Sequence, residues 1–307
     1  MIFKNLMLYQ LTHKAEIYFP ALREKLADSA FTPCGPTQAT SIGFVPPAGG
    51  ELAHELLGSL MLAVQIQEKK IPASALNDLV DEKVAVIEAE QSRKVHKKER
   101  ANIKDDILMD RLPGVIPTNK RVYAYLDAHL NMLLVDTSSP GTAEKVMGLL
   151  RECIGGIGAI IPQANLSPAI CMTMWLRGRS MPDDFLLGSE CELLSPGAEG
   201  GKVRCQGIDL FSDEVEAHIN AGLQVSQLRI VWQQSLSAVI KGQNAIRSIR
   251  FSDVLLAESA AESEDDISRF DADMALMVGT FREFIPALGG VFGGWLEQGF
   301  LELGEAS

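Results

Sequence analysis

EAEQSRKVHKKERANIK, residues 88–104, is a basic island in a 307-residue chain whose formal charge is −12. From Ser92 to Lys104 stand Arg93, Lys94, Lys97, Lys98, Arg100 and Lys104, opposed only by Glu99. At the helical repeat of about 100° per residue, Arg93, Lys97, Arg100 and Lys104 follow the i, i+4, i+7, i+11 spacing. They share one stripe about 60° wide, and Lys94 and Lys98 form a second row. Like charges at i, i+4 disfavour an isolated helix by a few tenths of a kcal/mol per pair. A helix that stacks them is suited to face a polyanion, although a solvated helix face accounts for the same composition.

The flanks define the element that carries this island. Ser74 follows Pro72 as a candidate N-cap, and Leu76, Leu79, Val80, Val84 and Ile87 make one apolar face. Over residues 88–102 that face dwindles to Val95 and two alanines. It resumes with Ile103, Ile107, Leu108 and Leu112 before Pro113-Gly114 stops the helix. One continuous helix over 75–112 would run about 57 Å at ~1.5 Å per residue. A break near residue 100, giving two antiparallel helices, fits equally well. Either arrangement makes a projecting basic element whose ends pack and whose middle does not.

Elsewhere the chain reads as a globular protein, with 47% hydrophobic and 22% charged residues. The start, MIFKNLMLYQL, lacks the pattern of a signal peptide, and no apolar run approaches the length of a membrane span. Cys34, Cys153, Cys171, Cys191 and Cys205 form no CxxC pair, which predicts reduced, mostly buried thiols in a cytoplasmic protein. Residues 258–273 hold seven acidic side chains against Arg269, half of the net charge. An acidic total still permits nucleic-acid binding, because binding follows the local field of a patch.

Periodicity predicts an α+β protein with mixed sheets. Strands are expected at 3–11, 60–67, 121–128, 132–136, 202–206, 224–234, 236–241 and 245–251, with turn residues between the last two at Gly242-Gln243-Asn244. Helices are expected at 15–29, 138–153, 168–176, 212–221 and 273–288, the last ending at Gly289-Gly290. Residues 32–50 read as a Pro/Gly-rich loop, and the acidic stretch as a linker or solvated helix.

No enzymatic motif survives inspection. Gly156-Ile157-Gly158 lacks a third glycine and follows a helix, which rules out a dinucleotide fingerprint. There is no Walker A sequence and no GxSxG elbow. His54-Glu55 begins an HExxH pattern, but Gly58 occupies the second His position. Asp271-Ala272-Asp273 has a spacing that could hold Mg²⁺, while acidic residues ahead of an apolar helix also serve as caps. The reading calls for no cofactor and no metal. Aromatic content of 6% argues against a stacking platform for single strands.

Several blocks together resemble the RdgC family of bacterial recombination-associated proteins along nearly the whole chain. They are FKNLM (3–7), AFTPCG (30–35), GFVPP (43–47), EKKIP (68–72), EAEQSRKVHKKER (88–100), LP (112–113) and VDTSS with AEKVMGLLRE (143–152). DLFSDEVEAHINAG (209–222), IRSIRFSDVL (246–255) and RFDADMALM (269–277) complete the series. The resemblance implies a horseshoe-shaped subunit that closes into a ring homodimer around double-stranded DNA, without sequence preference. It also implies a nucleoid-associated negative modulator of RecA-type recombination, with the recombinase itself as a further partner, no membrane and no catalysis.

In that picture residues 1–74 and 120–165 form a central region, 75–119 a projecting helical tip, and 166–307 a C-terminal base. DNA would meet Arg93, Lys94, Lys97, Lys98, Arg100 and Lys104, together with Lys69 and Lys70 of the EKKIP block. The tips of two subunits would meet through Val115, Ile116 and Pro117. This chain departs from the family pattern at Gly114-Val115-Ile116, where a basic and an aromatic residue are usual, and at Gly207 and Leu223, where relatives often carry Lys. In the picture the resemblance implies, Lys120, Arg121, Lys202 and Arg204 would offset part of these losses. The alternative is a protein-interaction module that acts directly on the recombinase, with DNA binding incidental.

Overall fold

Period-two alternation builds the main sheet, most clearly in QVSQLRIVW, where Val225, Leu228, Ile230 and Trp232 face the core. A computed structural model describes residues 1–178, 181–197, 200–242, 244–261 and 265–296. The fold is α+β with a large antiparallel sheet. In chain order it begins β1 (Leu6–Leu11), α1 (Tyr18–Lys25), β2 (Thr40–Val45), β3 (Ala53–Leu56) and β4 (Ser59–Glu68). It continues through α2 (Ala73–Gln91), α3 (Lys97–Arg111), β5 (Thr118–Asp127), β6 (Met132–Val135), α4 (Pro140–Ile154) and β7 (Ala159–Ile160). Then come α5 (Pro168–Leu176), β8 (Phe185–Leu194), β9 (Lys202–Gln206), α6 (Asp213–Asn220) and β10 (Gln224–Trp232). Last are β11 (Leu236–Lys241), β12 (Ala245–Phe251), α7 (Asp253–Ala261) and α8 (Asp266–Val291).

The chain divides into two compact units, passing between them after Asp28, after Val45, within β4 and within β5. The larger comprises Met1–Asp28, Pro46–Leu62 and Tyr123–Ser307. Its strands run β6-β1-β12-β11-β10-β8-β9. Against them lies the apolar face of α8, which buries Phe270, Met274, Met277, Val278, Phe281, Phe284, Ile285 and Leu288 at helical spacing. Ring contacts tie helix to sheet: Trp232–Phe284 at 5.5 Å, Phe251–Phe281 at 5.7 Å. Such pairs add about 0.5–1.5 kcal/mol each beyond area burial. The fully buried carboxylate of Asp127 accepts from Arg282 Nε at 3.0 Å, Ser59 Oγ at 2.8 Å and the Leu130 amide at 2.7 Å.

The smaller unit comprises Ser29–Val45 and Ala63–Val122. In it β2 pairs antiparallel with residues 63–68 of β4, and α2 packs against α3.

Four expectations are corrected. The first concerns residues 32–50, which contain β2 rather than loop alone. Gly43 is there for close approach, because a Cβ on it would stand 2.4 Å from Phe31 Cα. Second, β3 and β8 were not anticipated. Two register shifts between β8 and β10 disturb the alternation that would have revealed β8. Third, α8 starts before residue 273, at an Asp265–Ser268 capping box, and runs through Gly289 and Gly290. A Cβ on Gly289 would lie 2.2 Å from the Trp295 indole nitrogen, so this glycine admits a side chain instead of stopping the helix. Fourth, α2 starts at Ala73 with Pro72 at the N-cap position, not Ser74. Ser212 occupies the N-cap position of α6, yet its buried hydroxyl finds no partner among the described residues. Gln243, Glu262 and Glu264 lie outside the described residues.

By length and hydropathy α8 could cross a membrane. In the fold its apolar face is spent on the core instead. The five cysteines are free thiols, four of them buried.

Candidate nucleic-acid interface

Of the two arrangements open to residues 75–112, the fold takes the hairpin, with its break at 92–96 rather than near residue 100. Leu76 and Val80 of α2 pack with Ile103 and Ile107 of α3, and Leu79, Val84, Ile87, Val95 and Leu108 fill in around them. These are the two apolar faces read from the sequence, folded onto each other. Ser92 ends α2 in the left-handed region at φ +50, and extended His96 precedes α3. Glu88 closes the turn by accepting the Val95 amide at 2.9 Å.

This break dissolves the four-cation stripe. Arg93 and Lys94 lie in the turn, so only Lys97, Arg100 and Lys104 keep a shared face on α3. Arg93 forks onto Glu99, donating from Nη1 at 2.7 Å and Nη2 at 2.6 Å. That hydrogen bonding raises the Arg93 pKa and lowers that of Glu99. Arg100 pairs across the hairpin with Asp81. Lys94, Lys97, Lys98 and Lys104 are exposed, and none has a polar partner among the described residues. Among the described residues the uncommitted cations of the hairpin are these four lysines, with Lys83 on α2 and Arg111 at the end of α3.

The other cations of this unit differ in freedom. Lys69 donates to the carbonyls of Gly35 at 2.8 Å and Pro36 at 3.1 Å, and Lys70 pairs with Glu68. On β5, Lys120 is engaged, whereas Arg121 is exposed without a partner among the described residues. Beyond α3 a short 3-10 turn, Leu112–Gly114, buries Leu112. Ile116 is 87% exposed, flanked by half-buried Val115 and Pro117.

In the larger unit Lys202 pairs with Glu192. Arg204, directly across from Glu192 in the β8–β9 register, is exposed and has no partner among the described residues. Gly207 follows β9 at φ +71, a conformation that a lysine there would adopt only with strain. Arg247 of β12 was not singled out in the sequence. It lies in the IRSIRFSDVL block, but nothing in that block points to a site, and strand register brings it near Arg204, around one cavity. The two carboxylates considered for Mg²⁺ have other uses: Asp271 lies 2.6 Å from His54 Nε2, and Asp273 pairs with the N-terminal amine. Among the described residues no cluster of three metal-ligating side chains occurs.

A family profile described as "RdgC: Putative exonuclease, RdgC" matches residues 1–295. A protein of Halorhodospira halophila named "Recombination-associated protein RdgC" is 37% identical, over 96% of this chain and 98% of its own length. Proteins of that name from Psychromonas ingrahamii and Pseudomonas entomophila are each 36% identical over 96% of this chain, covering 99% and 98% of their own. With one profile spanning almost all of it and relatives this similar from end to end, the chain belongs to the RdgC family of recombination-associated proteins.

Proposed function

We propose that this protein binds double-stranded DNA without regard to sequence, as a ring-shaped homodimer of horseshoe-like subunits that encircles duplex and restrains RecA-type recombination in the nucleoid. The observation that carries the reading is the set Lys94, Lys97, Lys98 and Lys104, exposed and uncommitted on a hairpin with little core of its own. Cations without carboxylate partners are free to displace counterions from phosphate, and each such contact contributes about 0.9 to the slope of log affinity against log salt. No cluster of side chains suited to reading base edges accompanies them, so specificity is low.

The ring needs two contacts between subunits. Ile116, 87% exposed at the foot of the hairpin, just before Thr118 of β5 donates to the Glu68 carbonyl, suits the smaller one, since two-fold symmetry brings the same patch from each copy together. Restraint acts by occluding duplex from the recombinase. The protein has no turnover of its own, and the engagement of Asp271 and Asp273 with His54 and the N-terminus supports that view.

The test is a mobility-shift titration on random duplex over a salt series. Replacing the four lysines with Ala lowers the slope by up to ~3.6, and an unchanged slope sinks the assignment. Retention on closed circles but not on linear duplex after a salt wash tests encirclement, and Ile116→Asp abolishes it while leaving subunits paired. Metal-dependent DNA cleavage lost on replacing Asp271 and Asp273 would restore the exonuclease reading.

A further inference from the structure

The strands of the larger unit carry a cavity of about 140 Å³ lined by Glu190, Glu192, Arg204, Gln227, Arg247 and Ser248. Sites for drug-sized ligands run roughly 300–1,000 Å³, so this one admits a single small group. Register assembles it: Arg204 and Gln227 each stand opposite Glu192, on β9 and β10, while Arg247 of β12 lies opposite Val239 of β11.

Its carboxylates are already matched. Glu190 accepts from Arg229 Nε and Gln206 Nε2, both at 3.1 Å. Glu192 pairs with Lys202 and accepts from Gln227 at 2.8 Å and Ser226 at 3.1 Å. Burial would raise the Glu192 carboxyl, but these hydrogen bonds outweigh it and hold the pKa below its ordinary value. Glu192 thus stays ionised, and each carboxylate has its own cation, Arg229 for Glu190 and Lys202 for Glu192.

The two arginines of the cavity are not matched. Arg204 makes no polar contact among the described residues. Arg247 donates from Nη2 to the Ser138 carbonyl at 3.0 Å, while its buried Nε has no partner among the described residues. A buried donor without an acceptor is costly, and it leaves this guanidinium beside the cavity with donor capacity that no carboxylate takes up. Ser248 holds φ +49, a conformation of the kind that gathers at ligand clamps.

We propose that this cavity binds one phosphate group between the guanidinium groups of Arg204 and Arg247, with Gln227 and Ser248 at its edge. Planar guanidinium forks suit phosphate geometry, and two unmatched positive charges suit its dianion. The phosphate comes from a duplex backbone or from the free ion. In the first case the site extends the DNA reading and rests on it; in the second it stands alone.

Calorimetric titration of the full-length protein with inorganic phosphate, at constant ionic strength, tests the site. Saturable binding of one phosphate per chain is expected, weakened about tenfold or more by Arg204→Gln and by Arg247→Gln. If Arg247→Gln fails to fold, Arg204→Gln carries the test, since Arg204 holds nothing in the fold. No saturable binding at millimolar phosphate, or unchanged affinity in Arg204→Gln, overturns the proposal. Duplex binding is then measured with and without saturating phosphate. Competition assigns the site to backbone phosphate, and indifference assigns it to the free ion. Phosphate bound by a protein that ignores duplex breaks the DNA reading and leaves the cavity standing. Duplex bound by a protein that ignores phosphate does the reverse.

Discussion

The larger unit buries Phe281, Phe284, Phe292, Trp232 and dozens of aliphatic neighbours in one continuous core, whereas the α2–α3 hairpin of the smaller unit closes over Leu76, Val80, Ile103 and Ile107. The first draws its contacts from strands and helices far apart in sequence. The second draws them from two helices joined by five residues. An element with so small a core opens locally at lower cost than the whole protein. Its surface charges are accordingly loosely coupled to the stability of the larger unit, and they can be tuned for a partner without endangering the fold.

Phe284→Ala tests the larger side of this contrast with the greatest expected effect. Phe284 is fully buried and touches the rings of Phe185 and Trp232. Its truncation should cost about 3–5 kcal/mol, read as a drop in the denaturant midpoint. A loss under about 1 kcal/mol would mean the core closes around the gap and is less tightly interlocked than described.

Ile107→Ala is the matching change in the hairpin. Ile107 keeps 8% of its surface exposed and has few buried neighbours, so about 2 kcal/mol, the low end of such truncations, is expected. The loss should appear as faster hydrogen exchange in α2 and α3, with amides of β10 and β11 unchanged. Equal loss of protection in both places would show that the two units open together.

A third measurement probes the larger core by pH. Cys191 faces Cys205 across β8 and β9, and burial, with the Cys205 thiol beside it, pushes its pKa up to about 12. Below the ordinary thiol value both folded and unfolded chains keep the proton, and this contribution to stability is fully present. As pH climbs from about 9 towards 12, the unfolded chain ionises while the folded one does not, and the contribution is lost. The stability gap between wild type and Cys191→Ala should shrink over that range, and a constant gap would refute the assignment.

The same contrast explains what the sequence could reveal. α5, β9, β11 and β12 were legible to the residue because local apolar patterns end at Ser, Pro or Gly. The two apolar faces of the hairpin were legible too, but not where the chain turns, since residues 92–96 contain no Gly or Pro and Ser92 itself adopts φ +50. β2 was hidden because Gly43 serves a contact with Phe31 twelve residues away, and α8 was cut short because Gly289 serves Trp295. Around the candidate interface, residue types were readable and their partners were not. Nothing local says that Arg100 meets Asp81, nor that Arg247 shares a cavity with Arg204.

Those hidden partners lead to the smallest expected effect and the most discriminating one. Arg93 and Arg100 carry the same charge as the hairpin lysines, but Glu99 and Asp81 already hold them. Glu99 is kept below its ordinary pKa by the Arg93 hydrogen bond, so the carboxylate remains ionised and in place at neutral pH. The salt slope counts cations that replace counterions on phosphate, at ~0.9 each. Replacing the four lysines should therefore flatten it by up to ~3.6, while Arg93→Ala with Arg100→Ala should leave it nearly unchanged. A slope reduced by ~1.8 in the double variant would mean that both arginines leave their carboxylates when duplex arrives. Glu99 and Asp81 would then be competitors that DNA must displace, and the stripe read from the sequence would re-form only in the bound state.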